Sequence, residues 1–273
     1  MEFKILPSGK KIPVLGLGTW RMGGQLWRDT SQDEKYIDAI QYAVKRGITH
    51  IDTAEIYGAG HTEEIVGEAI KQFDRQKLFL STKVSPQHIF LPRQIKRSCQ
   101  NSLNRLQVEY IDLYLIHWPN PLAPMKMVMA AFDELVSDGK IRYIGVSNFS
   151  VRQLTNAQKY VKNKIVTNQV HYSLLHRDPE EGLSEFCQKE NVILTAYSPL
   201  EIGRIGSEEF KALTTVAQKY RKTPVQVALR YLLEKPNVIV IPKASTPEHI
   251  DELLGSLGWK MKPGDQEYLS QEF

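Results

Sequence analysis

The 273-residue chain lacks most of the features that set a protein apart from ordinary soluble globular ones. It has only two cysteines, Cys99 and Cys187, far apart and outside any CxxC spacing. That argues against a disulfide framework and against a thiolate zinc site, and leaves two reduced thiols. No apolar run approaches the roughly 20 residues that cross a bilayer. The opening "MEFKILPSGKK" has no apolar signal-peptide core, so a cytoplasmic location without membrane attachment is expected. Excess charge is also missing, with 35 Lys and Arg against 31 Asp and Glu for a net charge of +4. The basic residues of "RQIKR" and "KYRKT" are scattered among polar neighbours on expected helix faces, not gathered in an aromatic-interleaved stripe, so no nucleic-acid partner is expected. There is no Pro/Gly/Ser-rich linker, composition break or low-complexity tract to divide the chain.

What is present is a strict alternation. "FKILPSGKKIPVLGLG" places two short apolar runs about a Pro-Ser-Gly turn, the chemistry of a β-hairpin. Strand-like runs follow at "LGLGTW", "THIDT", "LFLSTKV", "YIDLYLIH", "IRYIGVS", "IVTNQV", "VILTAYS" and "VIVIP". Most are separated by helical-period segments such as "DEKYIDAIQYAVKRG", "EEIVGEAIKQF", "PRQIKRSCQNSLNRL" and "MVMAAFDELVSDG", and Thr62, Glu63 and Glu64 form a helix-start signal. Eight strand-helix units imply parallel strands joined by crossover helices, in either a closed barrel or an open doubly wound sheet. With no linker, the pattern favours a single α/β domain over residues 1–273, a (β/α)8 TIM barrel whose N-terminal hairpin closes the barrel bottom.

Polar residues punctuate the strands on one side only. Asp52, Lys83, His117, Ser147 with Asn148, Gln169, Tyr197 and Lys243 stand at the carboxyl ends of seven runs, the ends that converge on the active face of a barrel. Within "HIDTAEIYGAGH" a phenol, Tyr57, follows Asp52 by five residues. A tyrosine with a pKa near 10 gives up its proton at neutral pH only if a cation stabilises the phenolate. Lys83 can be that cation, Asp52 can keep the lysine charged, and His117 can hydrogen-bond a substrate oxygen and share its developing charge. Each residue alone has an ordinary reading as turn former, surface charge, packing ring or structural histidine. Together they make an acid catalyst for carbonyl reduction.

The segments "HIDTAEIYGAGHTEEIVGEAI", "STKV", "YIDLYLIHWP", "IRYIGVSNF", "TNQVHYS", "AYSPL" and "IPKAS", in that order, resemble the aldo-keto reductase superfamily over almost the whole chain. The resemblance implies that Tyr57 is the general acid, Lys83 lowers its pKa, Asp52 supports Lys83 and His117 positions the carbonyl. It implies NADP(H) or NAD(H) as cofactor, its nicotinamide stacked on Tyr197, its carboxamide held by Ser147, Asn148 and Gln169, and transfer of the pro-R hydride. Gly18, Thr19, Trp20, Asp52, Ser198 and Leu200 are implied as further cofactor contacts. At the adenosine end Lys243 and Ser245 offer phosphate contacts, but Ala244 replaces the usual serine, and His249 stands where many members carry an arginine. A histidine cannot form the guanidinium fork, so the preference between the two nucleotides stays open. Trp20 and Trp118, beside Tyr57 and His117, are implied as walls for a small carbonyl or alcohol substrate, with Trp27 a further candidate. The sequence ends at Phe273 with "IDELLGSLGWKMKPGDQEYLSQEF", leaving little for a long C-terminal loop, which predicts an open pocket, and the protein is expected to be a monomer or weak oligomer.

Other readings are weaker. "GLGTWR" lacks the third glycine of a dinucleotide fingerprint and is followed too late by a helix. "YVKNK", Tyr160 to Lys164, has a Tyr-x-x-x-Lys spacing but reads as an exposed helical face. A metal-dependent hydrolase using Asp52, Glu55, His61 and His117 would have to accept the Lys83 charge in its site, so no metal is expected. A nucleotide-binding regulatory barrel with little turnover is the remaining alternative.

Overall fold

The computed structural model describes residues 1–207 and 209–273. Its first element is an antiparallel hairpin of β1 (Phe3–Ile5) and β2 (Lys11–Pro13). Eight parallel strands follow: β3 (Gly16–Gly18), β4 (His50–Asp52), β5 (Phe79–Val84), β6 (Ile111–Ile116), β7 (Ile141–Ser147), β8 (Ile165–His171), β9 (Ile193–Tyr197) and β10 (Val238–Val240). They pair in sequence order from β3 to β10. The sheet then curls on itself. Leu15 bridges Val240 in parallel, and the backbone N–H groups of Val240 and Gly18 donate to the carbonyls of Val14 and Pro242. All eight expected strands are present, and the closed form is the one adopted. Strands buried on both faces explain why "LFLSTKV" and "YIDLYLIH" are nearly continuous apolar runs, for every residue of β5 and β6 is buried.

Helices follow each strand: α1 (Asp33–Lys45), α2 (His61–Ile70), α3 (Pro92–Leu106), α4 (Met125–Ser137), α5 (Val151–Gln158) and α6 (Leu183–Lys189) come after β3 to β8. The connection from β9 to β10 is longer and holds α7 (Arg204–Ser207), α8 (Lys211–Tyr220) and α9 (Pro224–Leu233); α10 (Pro247–Leu254) and α11 (Pro263–Glu272) complete the chain. Helix α3 buries one stripe against the barrel, Ile95, Cys99, Leu103 and Leu106, at the four-residue and three-residue spacing of one helical face, whereas α9 is buried on nearly every side. Both cysteines are buried free thiols, pushed up to about 12 by burial, and inert.

The hairpin sits under the amino ends of the strands. Leu6 and Ile12 are buried there, Lys4 Nζ donates to the Lys235 carbonyl just before β10, and Ser8 Oγ donates to the Tyr143 hydroxyl on β7. The barrel bottom is thereby closed, which leaves its carboxyl end as the open face. No helix among the described residues is long and apolar enough to cross a membrane.

Two local expectations differ. Thr62 does not cap α2: the helix begins at His61 behind Gly60, and Thr62 Oγ1 donates instead to the Met22 carbonyl, tying the helix to the loop after β3. Tyr160–Lys164 is not a helical face, because α5 ends at Gln158 and the chain turns there, Asp133 accepting hydrogen bonds from the backbone N–H of Lys162 and Asn163.

Candidate active site

The strand ends converge on a cleft of about 720 Å³ at the carboxyl face. Asp52 closes β4, Lys83 lies one residue before the end of β5, and His117 follows β6 directly. Tyr57 comes from the loop after β4. Its turn, Tyr57–Gly60, is a short 3-10 element in which Gly58 (φ 55°) donates its N–H to the Gln25 carbonyl. A Cβ on Gly58 would stand 2.4 Å from the Gly23 carbonyl oxygen, so only glycine lets the turn lie this close to the neighbouring loop.

Lys83 is fully buried and its Nζ has three partners: Asp52 Oδ1 at 2.6 Å, the Thr53 carbonyl at 2.7 Å and the Tyr57 hydroxyl oxygen at 3.4 Å. Burial alone would favour a neutral amine, but the Asp52 carboxylate and the Tyr57 oxygen outweigh it and hold the ammonium above the usual lysine range. Burial pushes the Asp52 carboxyl up, opposed by Lys83 and by Gln169 Nε2, which donates to Oδ2 at 2.9 Å. The pair is therefore ionic, with both carboxylate oxygens satisfied.

Tyr57 differs from the expectation in one respect. Burial pushes its hydroxyl above the ordinary tyrosine value and Asp52 adds to this; Lys83 pulls it down, as the spacing implies, without winning. The phenol is therefore fully protonated at neutral pH. At 3.4 Å and an effective dielectric of about 20, the lysine stabilises a phenolate by up to about 5 kcal/mol. His117 packs edge-on against the Tyr57 ring, centroids 5.7 Å apart. Burial and the Lys83 charge bring its imidazole down to about 3, so it is neutral. Its Nδ1 is buried without a partner, which puts the single proton on Nε2, since an unpaired buried N–H costs more than an unused lone pair.

A second polar network lies beside the first. Asn148, at φ 63°, donates through Nδ2 to the His117 carbonyl and to Ser147 Oγ, and its Oδ1 accepts from the Tyr197 hydroxyl at 3.0 Å. Ser147 Oγ donates to the Gln169 carbonyl. The Tyr197 ring is backed by His171, the rings near-parallel with centroids 5.5 Å apart, and His171 by His176 with centroids 4.0 Å apart. Nothing in "TNQVHYS" signals that support, because it depends on the register of β8 against β9, which brings His171 level with Tyr197.

Gly18, Thr19, Trp20, Asp52, Tyr57, His117, Trp118, Ser147, Asn148, Gln169, Tyr197, Ser198, Leu200, Lys243 and His249 all line the cleft. Lys83 lies beneath it. Ser245 does not reach the lining, because it follows the buried Ala244 just after Lys243. Trp27 also stays outside, 79% exposed on the loop after β3. Arg21, not singled out from the sequence, does line it, its guanidinium stacked 4.3 Å over the Trp20 ring. Two of the four residues of the metal reading are engaged elsewhere. His61 is taken up by Asp33 and Glu64, Glu55 by the Ser85 N–H and His88, and no metal-binding group of His, Cys, Asp and Glu occurs among the described residues.

The cleft's donor set suits a nicotinamide dinucleotide. A flat ring face at Tyr197, amide and hydroxyl groups at Ser147, Asn148 and Gln169, and cations at the far end are what an amide-bearing ring and its phosphates need. Lys243 pairs with no carboxylate among the described residues. Burial and the nearby Arg21 and Lys35 charges hold its ammonium below the usual range, a site that an anion would relieve.

The Aldo/keto reductase family model matches residues 14–270. Methylglyoxal reductase YeaE of Escherichia coli is 36% identical over 245 residues, covering 88% of this chain and 84% of its own length. A thermostable aldo-keto reductase crystallised with the inhibitor epalrestat is 45% identical, with a TM-score of 0.95 and full coverage of both chains. An aldo-keto reductase from Klebsiella pneumoniae, solved in complex with NADPH, is 33% identical with a TM-score of 0.90 over 99% of this chain and 95% of that one.

Proposed function

The chain belongs to the aldo/keto reductase family, and on that premise we propose that it is an NAD(P)H-dependent reductase of aldehydes or ketones whose proton donor is Tyr57. The observation that carries this reading is the position of a Lys83 ammonium, paired with Asp52, 3.4 Å from the Tyr57 hydroxyl at the floor of the cleft. The cofactor class is supported by relatives solved with NADP or NADPH and by the ring-and-amide donor set of the cleft.

When bound, the nicotinamide supplies a hydride to the carbonyl carbon. Ser147, Asn148 and Gln169 would hold its carboxamide, and Tyr197, stiffened by His171, would give its ring a flat wall. Tyr57 donates the hydroxyl proton to the carbonyl oxygen as charge develops there. Lys83 takes up the resulting phenolate charge, and Asp52 keeps the lysine protonated throughout. His117, neutral, cannot be the acid; through Nε2–H it donates a hydrogen bond to the same oxygen and fixes its direction. In alcohol oxidation the Tyr57 phenolate receives the proton.

Trp20, Ile56, Trp118 and Ile202 wall the outer part of the cleft, with Trp118 about half exposed. An apolar or aromatic body beside the carbonyl fits this better than a polyol. Lys243 and His249, with Arg21 near Lys243, admit either nucleotide. The test is oxidation of NADPH and of NADH followed at 340 nm against a panel of aromatic aldehydes, small dicarbonyls and aldoses. Turnover is expected with at least one nucleotide, fastest on the apolar carbonyls. Tight nucleotide binding with no turnover on any of them would favour a regulatory nucleotide-binding barrel instead.

A further inference from the structure

Tyr57 and Lys83 belong to different elements, and their 3.4 Å separation is at the long end of hydrogen-bonding range, where a small displacement would break it. Something outside the cleft has to hold the two elements in register. Neighbouring residues of a strand face opposite ways, so Lys83 points into the barrel and Thr82 points out toward the helices. There Thr82 Oγ1 donates to Oε1 of Glu63 at 2.6 Å.

Glu63 lies in the first turn of α2, three residues after Gly60, where the Tyr57 turn ends. It is fully buried. Its other oxygen, Oε2, accepts from Arg105 of α3 through Nε at 2.7 Å and Nη2 at 2.6 Å, and Arg105 Nη2 also donates to Ser102 Oγ at 3.3 Å. The arginine stem then runs against the Tyr57 turn itself: a Cβ on Gly60 (φ 95°) would stand 2.9 Å from Arg105 Cδ and Nε. One carboxylate thus joins the element carrying the phenol, the strand carrying the lysine and the arginine lying under the turn.

We propose that Glu63, through Thr82 and Arg105, is a positioning residue that sets the Tyr57–Lys83 distance from the outer face of the barrel. A buried ion pair is a poor way to gain stability, since an apolar pair of similar volume often does as well or better. What the carboxylate adds is direction: one oxygen is committed to β5 and the other to α3, so α2 cannot slide along either without breaking a buried hydrogen bond. The inference rests on Tyr57 being the proton donor, and its test separates the two claims.

Thr82→Val removes the hydroxyl donor and keeps both the side-chain shape and the Glu63–Arg105 pair. With the turn released, Lys83 holds the phenolate less well. The tyrosinate absorbance assigned to Tyr57, taken in nucleotide-free protein as the difference between each protein and its Tyr57→Phe counterpart, is expected to titrate about half a pH unit or more higher than in the parent. Turnover for reduction should fall about tenfold, with KM and nucleotide affinity unchanged. Glu63→Gln should move both readouts the same way and further, and Thr82→Val decides the matter if Glu63→Gln does not fold. A role confined to stability would lower the melting temperature and leave the Tyr57 titration and the turnover of the folded protein at parental values, which overturns the proposal. If Tyr57→Phe alone retains the parental rate, the proton-donor reading fails, and the titration of Tyr57 still decides whether Glu63 positions it.

Discussion

Replacing Tyr57 by phenylalanine is expected to lower kcat for carbonyl reduction by a factor of about 10² to 10⁴, the contribution of a positioned general acid, while nucleotide affinity stays at the parental value. The ring remains, so the edge-on contact with His117 is kept and the cleft keeps its shape. Only the hydroxyl is lost, and no neighbour can replace it: His117, brought down to about 3, is a neutral imidazole whose remaining N–H is far too weak an acid, and Lys83 is committed to Asp52 and the Thr53 carbonyl. Nucleotide binding is insulated because Ser147, Asn148, Gln169 and Tyr197 hold one another through bonds that do not pass through Tyr57. Steady-state kinetics and nucleotide fluorescence titration check both halves. A variant keeping most of the parental rate would remove Tyr57 as the donor.

Lys83→Met should have the largest effect on stability as well as abolishing turnover. The ammonium is fully buried and answers one oxygen of a buried carboxylate. Removing it leaves Asp52 charged without its main partner, which costs about 3–5 kcal/mol. For a chain of this size that is a fall in melting temperature on the order of 10 °C. Adding Asp52→Asn removes the stranded charge, so the double variant should regain most of the stability and none of the activity. Thermal unfolding followed by circular dichroism tests this. An additive loss in the double variant would mean that the two side chains do not act as a pair.

The barrel was largely legible because its strands are apolar runs bounded by polar ends, and the run "YIDLYLIH" matches Ile111–Ile116 with His117 immediately beyond. The four residues about the proton donor could be found for the same reason: each ends a strand or stands in the turn beyond one. The support around them could not. Glu63 reads as an acid favoured at a helix start, and only the folded chain shows it facing Thr82 and Arg105, 19 and 42 residues away. His171 stands behind Tyr197 through the register of β8 against β9, and Arg21 stacks on Trp20 within the irregular loop after β3; neither contact has a period to read. The place of Trp27 was not legible, because a large apolar side chain in a loop can cover a cleft or stand in solvent, and composition does not separate the two. The end of α5 at Gln158 was hidden by the polar run after it, where hydrogen bonds from Lys162 and Asn163 to Asp133 on α4 replace helix with turn.

The central claim is that this cleft moves a hydride from a nicotinamide held against Tyr197 to a carbonyl beside Tyr57. Its most direct test is a reaction with nucleotide deuterated at the pro-R position of the nicotinamide and an aromatic aldehyde, with the alcohol examined by mass spectrometry. The account predicts one deuterium on the carbinol carbon and none retained in the oxidised nucleotide. Deuterium left in the nucleotide, with unlabelled alcohol formed, would contradict it.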